Sequence, residues 1–251
     1  MGASVIAIIV FACVFGAALL GMLLRAVLPE HHLSSETKDS VKLTMGLVAT
    51  MAALILGLLV ASAKDAYDKE SNGVTEMAAK VVFLDRMLAN YGLETKDTRT
   101  LFRHAVERMH GHMWPEKASE RAQLDPNASQ SEGMHAAIQK LSPQNDLQTA
   151  LKSQALSTSL ELSQLRWLEF EQADTSVSAP MLYILTFWLA VLFVSFGMFS
   201  PSNGTVVIAL LLAALSVSGA IFLLLELNSP FGGIMQISDA SFLDAIAHLG
   251  Q

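Results

Sequence analysis

Four long blocks of the sequence contain no Asp, Glu, Lys, Arg or His. They cover residues 3–24, 43–63, 181–199 and 206–225. A helix needs about 20 apolar residues to cross roughly 30 Å of hydrocarbon, so each block has the length of a membrane span. Helices in the core of a soluble protein seldom stay uncharged over this distance. The sequence therefore predicts four transmembrane helices, the first of which lacks the basic start of a signal peptide.

The charged residues are concentrated between the second and third blocks. Only 16% of the 251 residues are charged, yet residues 64–179 hold 13 of the 16 Lys and Arg and 17 of the 23 Asp and Glu. Four spans place both termini and this region on the same side of the membrane. We expect an all-α membrane protein in which residues 1–63 and 180–227 form the four transmembrane helices. A helical soluble domain then covers 64–179, and 228–251 is a C-terminal tail.

Span two has no stop signal at its polar end. No proline interrupts residues 43–91, and Met77, Val81, Leu84 and Leu88 continue with the 4, 3, 4 spacing of a packed helical face. A glycine after Tyr91 is typical of a helix end. We therefore predict one helix of nearly fifty residues, roughly 70 Å long, that runs from the membrane into the soluble domain.

The rest of the soluble domain is also predicted to be helical. Thr95 could cap a second helix that extends to His112 and stops at Trp114-Pro115. Residues 115–133 are polar and are predicted to form a loop. A short helix and a break at Ser142-Pro143 follow, and then a long helix over 146–172 leads toward Pro180, a typical first-turn residue.

Small residues recur every fourth position in span two, at Ala49, Ala53, Gly57 and Ala61. Small side chains at this spacing let helices approach closely in lipid. One interpretation is tight packing within a single subunit. The other is that the stripe faces a subunit interface or the axis of a pore.

The interiors of the spans carry no ionisable side chain, whereas proton relays and ion-coupled pumps usually need at least one. A passive pathway lined by backbone and small residues remains compatible with the sequence. Lys42 and Lys64 would lie near the two mouths of such a pathway and could attract anions. The alternative is that these lysines only extend toward lipid headgroups.

Residues with catalytic or metal-binding potential are few. The Glu107/His110 and Glu132/His135 pairs have the Glu-x-x-His spacing of di-metal bundles, but further bridging glutamates are not evident, so we interpret them as solvated helix faces. No nucleophile or phosphate-loop motif occurs. A net charge of −7 without a basic cluster argues against nucleic-acid binding. We expect neither an enzyme nor a bound metal or cofactor.

Two short elements resemble those of bacterial bestrophins. AKDAYDKE, with Ala66, Tyr67 and Asp68, is similar to the element that follows their pore helix, and ELNSPFGG, with Pro230, Phe231 and Gly232, is similar to the element after their last span. The layout of two spans, a helical domain and two further spans also matches. The chain is identified as a member of the bacterial bestrophin-like families.

This resemblance implies a homo-oligomer, a pentamer in bestrophins, that conducts small anions such as chloride along span two. It implies a multi-pass protein of the bacterial inner membrane, surrounded by lipid, with its helical domain and termini in the cytosol. The bulky neck residues of bestrophins fall on Ala53, Gly57 and Ala61. Asp239 alone replaces an acidic cluster, so we expect no calcium clasp. The alternative is a non-conducting membrane scaffold or sensor whose helical domain binds a ligand or partner.

Overall fold

The computed structural model describes residues 2–29, 34–115, 128–173, 179–201 and 203–251, without the side chains of 128–132, 169–173 and Ala179. This part of the chain is helical and contains no β-strand. A short 3-10 turn, Leu93–Thr95, precedes the third α-helix. The α-helices of the described residues are α1 (Ala3–Val27), α2 (Ser35–Tyr91), α3 (Lys96–Met113), α4 (Ala128–Gln139), α5 (Asp146–Ala173), α6 (Ala179–Phe199), α7 (Gly204–Leu227) and α8 (Ala240–His248).

The chain forms two compact units. The first, here called the membrane unit, consists of Met1–Ala66 and Val177–Asn228. The second, the helical unit, consists of Tyr67–Ser176 and Ser229–Gln251. The division falls inside α2, so this helix contributes residues to both units.

The membrane unit contains the four predicted spans, and each is confirmed as a helix long and apolar enough to cross a membrane. Helix α1 packs against α6 and α7. Two glycines allow the first of these contacts, because a Cβ on Gly21 would collide with the backbone carbonyl of Val194, and one on Gly197 with that of Ala18. Close backbone approach through small residues is the usual way in which helices associate in lipid.

The helical unit has its own apolar core. The predicted seam of α2 is confirmed, since Met77, Val81, Leu84 and Leu88 are each at most 1% exposed. Side chains from the other helices of the unit pack on this seam. They are Phe102, Val106 and Met113 of α3, Met134 and Ile138 of α4, Ala155 and Leu162 of α5, and Phe242 and Ala245 of α8.

The predicted continuity of span two with the soluble helix is confirmed. Helix α2 has 57 residues, which corresponds to about 85 Å. It ends at Tyr91, and Gly92 follows with a φ of +139°, a backbone conformation that favours glycine.

Two local predictions need correction. The loop predicted over 115–133 ends earlier, because α4 begins at Ala128; residues 116–127 lie outside the described ranges. Thr95 precedes α3 but does not cap it with its side chain. Its hydroxyl instead donates to the carbonyls of Leu88 and Gly92, at 2.6 and 2.8 Å. Thr95 is fully buried, and it therefore stabilises the end of α2 instead of the start of α3.

Residues after α7 pack into the helical unit, whereas the sequence predicted only a tail over 228–251. Phe242 of α8 is fully buried. The indole N–H of Trp114 donates to the carbonyl of Ile237 over 2.9 Å, and the Trp114 ring contacts the rings of Phe231 and Phe242, with centroids 5.8 and 5.6 Å away. This segment is therefore part of the core of the unit.

Candidate ion pathway

Helix α2 is the span least covered by its own chain. In its most apolar 18-residue window 6% of the residues are buried, against 28%, 33% and 22% in α1, α6 and α7. One face does pack in the membrane unit. Ala52 is 2% exposed, and the partly buried side chains of Val48, Leu56 and Leu59 extend the same face. The opposite side of the span is exposed in the described part of the chain.

The predicted small-residue stripe lies mostly on this uncovered surface. Ala49 is partly buried, whereas Ala53, Gly57 and Ala61 are exposed. A Cβ placed on Gly57 would meet no atom within 4 Å. The described subunit therefore does not use these three positions for internal packing, and they are free to contact lipid, another subunit or an aqueous path.

A second exposed stripe of α2 consists of large apolar side chains. Its members are spaced 4, 4, 3 and 4 residues apart and are between 52% and 79% exposed. They are Leu43, Leu47, Met51, Leu54 and Leu58. This stripe was not predicted, although its helical spacing is visible in the sequence. It supplies an apolar surface that suits lipid or a neighbouring copy, beside the flatter surface of the small residues.

Lys42 and Lys64 bracket the span. They are 22 residues apart on one helix, or about 33 Å, which is close to the thickness of the hydrocarbon. The Lys42 side chain is 66% exposed and its Nζ lies 3.9 Å from Asp39 Oδ1. A pair this exposed is screened by water. Lys64 is also exposed.

Tyr67 of the first bestrophin-like element contacts the segment that follows the second element, within the helical unit. The Tyr67 hydroxyl lies 3.5 Å from the carbonyl of Gln236, to which it donates. Pro230 is buried, and its carbonyl accepts from the N–H of Ile237 at 2.8 Å. The N–H of Gly232 donates to the carbonyl of Ser229 at 3.0 Å, which closes the turn around Phe231. Ala66 and Asp68, the other two motif residues, are exposed.

Glu70 is a buried acid that was not predicted as a site residue. It is 6% exposed, and its Oε2 has no hydrogen-bond partner among the described residues. Burial raises the pKa of this carboxyl to about 7. Its position could have been found from spacing, because Tyr67, Glu70 and Val74 continue the seam of Met77 by steps of three and four.

A second buried acid, Asp85, is fully paired. It is 2% exposed and accepts two hydrogen bonds from Arg99, from Nε to Oδ1 at 2.9 Å and from Nη2 to Oδ2 at 2.7 Å. The backbone N–H of Gly250 also donates to Oδ2, and Arg99 donates to the carbonyl of Gln251 at 3.0 Å. This bidentate pair therefore holds Gly250 and Gln251 against α2 and α3.

Of the Glu-x-x-His pairs, Glu107/His110 lies in the described part of the chain, where no group of three or more candidate metal ligands occurs. Glu107 accepts from Arg103 at 2.9 Å on an exposed face. The interpretation of His110 as part of a solvated helix face is wrong. Its ring stacks on Trp114, and its Nε2 lies 3.1 Å from Asp239 Oδ2. The Glu132 side chain lies outside the described residues.

Comparison with known proteins agrees with the resemblance to bestrophins. A family model for a bestrophin-like domain matches residues 12–242. A crystal structure of a bacterial bestrophin homologue from Klebsiella pneumoniae that carries one mutation is similar to this chain, with 14% identity and a TM-score of 0.66 over 95% of this chain and 99% of the other. A second variant of that homologue gives 15% identity and a TM-score of 0.67 over 96% and 97%. No curated protein gave a significant match.

Proposed function

The chain belongs to the bestrophin-like family, and from this membership we propose that it forms an oligomeric channel for the passive conduction of small inorganic anions. The observation that carries the proposal is the long exposed apolar face of α2 inside a bestrophin fold. Within the subunit, 6% of the residues in its most apolar 18-residue window are buried. An apolar helix face exposed over this length suits contact with lipid and with other copies of the chain, and a ring of such helices can enclose a pore.

The proposed path runs along the stripe of Ala49, Ala53, Gly57 and Ala61. No charged side chain interrupts residues 43–63, so the walls of the path would be backbone and small apolar groups. Such walls permit passive movement and give no site for coupling to protons. Lys42 and Lys64 at the mouths would raise the local concentration of chloride and similar anions.

The proposed assembly is a pentamer in a bacterial inner membrane. Each subunit would cross the membrane four times, with the helical unit and both termini in the cytosol. The exposed stripe of Leu43, Leu47, Met51, Leu54 and Leu58 would then contact the neighbouring subunit or lipid. These assignments rest on family membership together with the uncovered faces of α2.

Chloride efflux from proteoliposomes tests the path. The Gly57→Phe variant adds a large ring where the subunit leaves open space, so it should reduce efflux at least about tenfold by narrowing the ring of helices. Gly16→Phe is the matched control, because Gly16 lies on α1 and a Cβ there would also meet no atom within 4 Å. It should leave efflux close to wild type.

Unaltered efflux in Gly57→Phe would remove span two from the path. Wild-type protein that assembles but conducts neither chloride nor nitrate would contradict the channel itself. It would favour a non-conducting scaffold or sensor.

A further inference from the structure

A small cavity lies inside the helical unit, among α2, α3, α4 and α5. Its volume is about 40 Å³. At roughly 10–15 Å³ for each water-sized group, it has room for about three such groups. Most of its wall is apolar. The apolar lining residues are Leu84, Phe102, Ala105, Val106, Met109, Met134 and Leu162.

The polar part of the wall comes from one face of α5. Ser159, Ser163 and Arg166 line the cavity at spacings of four and three residues, which places them along one side of the helix. Ser163 donates its hydroxyl proton to the carbonyl of Ser159 at 3.0 Å. Ser159 is 5% exposed, so its own hydroxyl lies in the interior of the unit.

Arg166 is partly buried and has no counter-charge among the described residues. Among the side chains that the structure describes, none forms an ion pair or a hydrogen bond with its guanidinium. Burial alone lowers the pKa of Arg166, whereas the partly buried Arg99 has its pKa raised by Asp85. Arginine stays charged in proteins, so a cation is held at the edge of an apolar cavity at a cost in desolvation.

We propose that this cavity is a binding site for one small anion, such as chloride, nitrate or formate, held by Arg166 with the Ser159 hydroxyl. The guanidinium offers several N–H donors and Ser159 offers an O–H donor, and anions accept from both. A cavity volume of about 40 Å³ suits an ion of this size. The apolar walls strengthen each contact with the bound ion because they lower the local dielectric.

This proposal is independent of the proposed conduction path, since none of Ala49, Ala53, Gly57 and Ala61 lines the cavity. An anion at this position would bridge α5 to the residues of α2 and α3 around it. Its occupancy would therefore stabilise the helical unit as anion concentration rises, by the linkage between binding and folding.

Thermal unfolding of the purified full chain in detergent tests the site. Chloride replaces gluconate at constant ionic strength, because gluconate is too large for the cavity. The wild-type midpoint should rise and then saturate with chloride. Arg166→Gln should raise the half-saturating chloride concentration at least about tenfold, which is typical for the loss of a charged hydrogen bond.

Arg108→Gln is the matched control, because Arg108 is an arginine of α3 that does not line the cavity. It should keep the wild-type response. If Arg166→Gln does not fold, Arg166→Lys and Ser159→Ala replace it; both should weaken chloride binding, and both should be rescued by higher chloride. An Arg166 or Ser159 variant with the wild-type chloride response, or a wild-type midpoint that stays constant as chloride replaces gluconate, would overturn the proposal.

Discussion

The indole N–H of Trp114, at the end of α3, donates a hydrogen bond to the backbone carbonyl of Ile237 over 2.9 Å. The two residues are 123 positions apart. The same ring packs on Phe231, within the Pro-Phe-Gly element, and on the fully buried Phe242. A single side chain thus joins α3 to the segment after the last span, so that segment is a structural part of the helical unit.

Replacement of Trp114 should release this segment. Trp114→Ala removes the ring and its hydrogen bond, and we expect a loss of about 3–5 kcal/mol in the free energy of unfolding. Trp114→Phe keeps most of the ring and should cost only about 1–2 kcal/mol. Hydrogen exchange of residues 231–249 measures the effect directly. Equal protection of this segment in wild type and Trp114→Ala would contradict the assignment.

The Asp85–Arg99 pair should contribute far more than the surface pairs. Asp85 is 2% exposed, so Asp85→Ala leaves a partly buried guanidinium without its partner, at a cost of about 3–5 kcal/mol. Glu107→Ala removes the exposed partner of Arg103 and should cost less than about 1 kcal/mol. Denaturant unfolding of both variants gives the comparison. Similar losses would show that Asp85 is not a buried anchor.

Glu70 should make the stability of the helical unit depend on pH. Its pKa is raised from 4.5 to about 7 by burial. Between these values the unfolded chain has lost the proton while the folded chain keeps it, so stability is greatest below 4.5 and falls as pH rises to about 7. The full loss is about 3 kcal/mol.

Glu70→Gln should abolish this pH dependence, because it keeps the shape of the side chain and cannot ionise. Unfolding midpoints of wild type and variant should be similar near pH 4, below both pKa values, with the variant higher near pH 8. Parallel curves over that range would mean that the Glu70 carboxylate is solvated or paired when folded.

The contact between α1 and α6 should tolerate no side chain at Gly197. A Cβ there would collide with the carbonyl of Ala18, so Gly197→Val must separate the two helices. We expect loss of most folded protein in detergent, measured by size-exclusion chromatography. Gly219→Val is the control, because a Cβ at Gly219 meets no atom within 4 Å. A well-folded Gly197→Val variant would exclude this close approach.

The length and continuity of the helices were easier to predict from the sequence than the tertiary contacts. The spans follow from uncharged length, and the continuity of α2 follows from the absence of proline and the seam of Met77 and Val81. The hydrogen bond from the Trp114 indole to the carbonyl of Ile237 could not be predicted. Every residue has a backbone carbonyl, and the sequence does not show which one accepts the bond. The spacing places Glu70 on the seam of α2, but an acidic side chain is normally expected to be exposed, so its burial was not predicted.

The exposure of Ala53, Gly57 and Ala61 likewise could not be predicted. Small residues at four-residue spacing serve equally for packing inside a subunit, where Gly21 and Gly197 are used, and for an uncovered face. Which use applies depends on where the other helices lie, and this is a property of the folded unit. Whether the stripe faces a pore stays a prediction.

The mass of the intact complex in detergent tests the central claim most directly, because α2 can enclose a path only within a ring of subunits. We predict that native mass spectrometry will show five copies of the 27.0 kDa chain. A monomer or a dimer would leave no central pore for Ala53, Gly57 and Ala61 to line, and it would contradict the channel proposal.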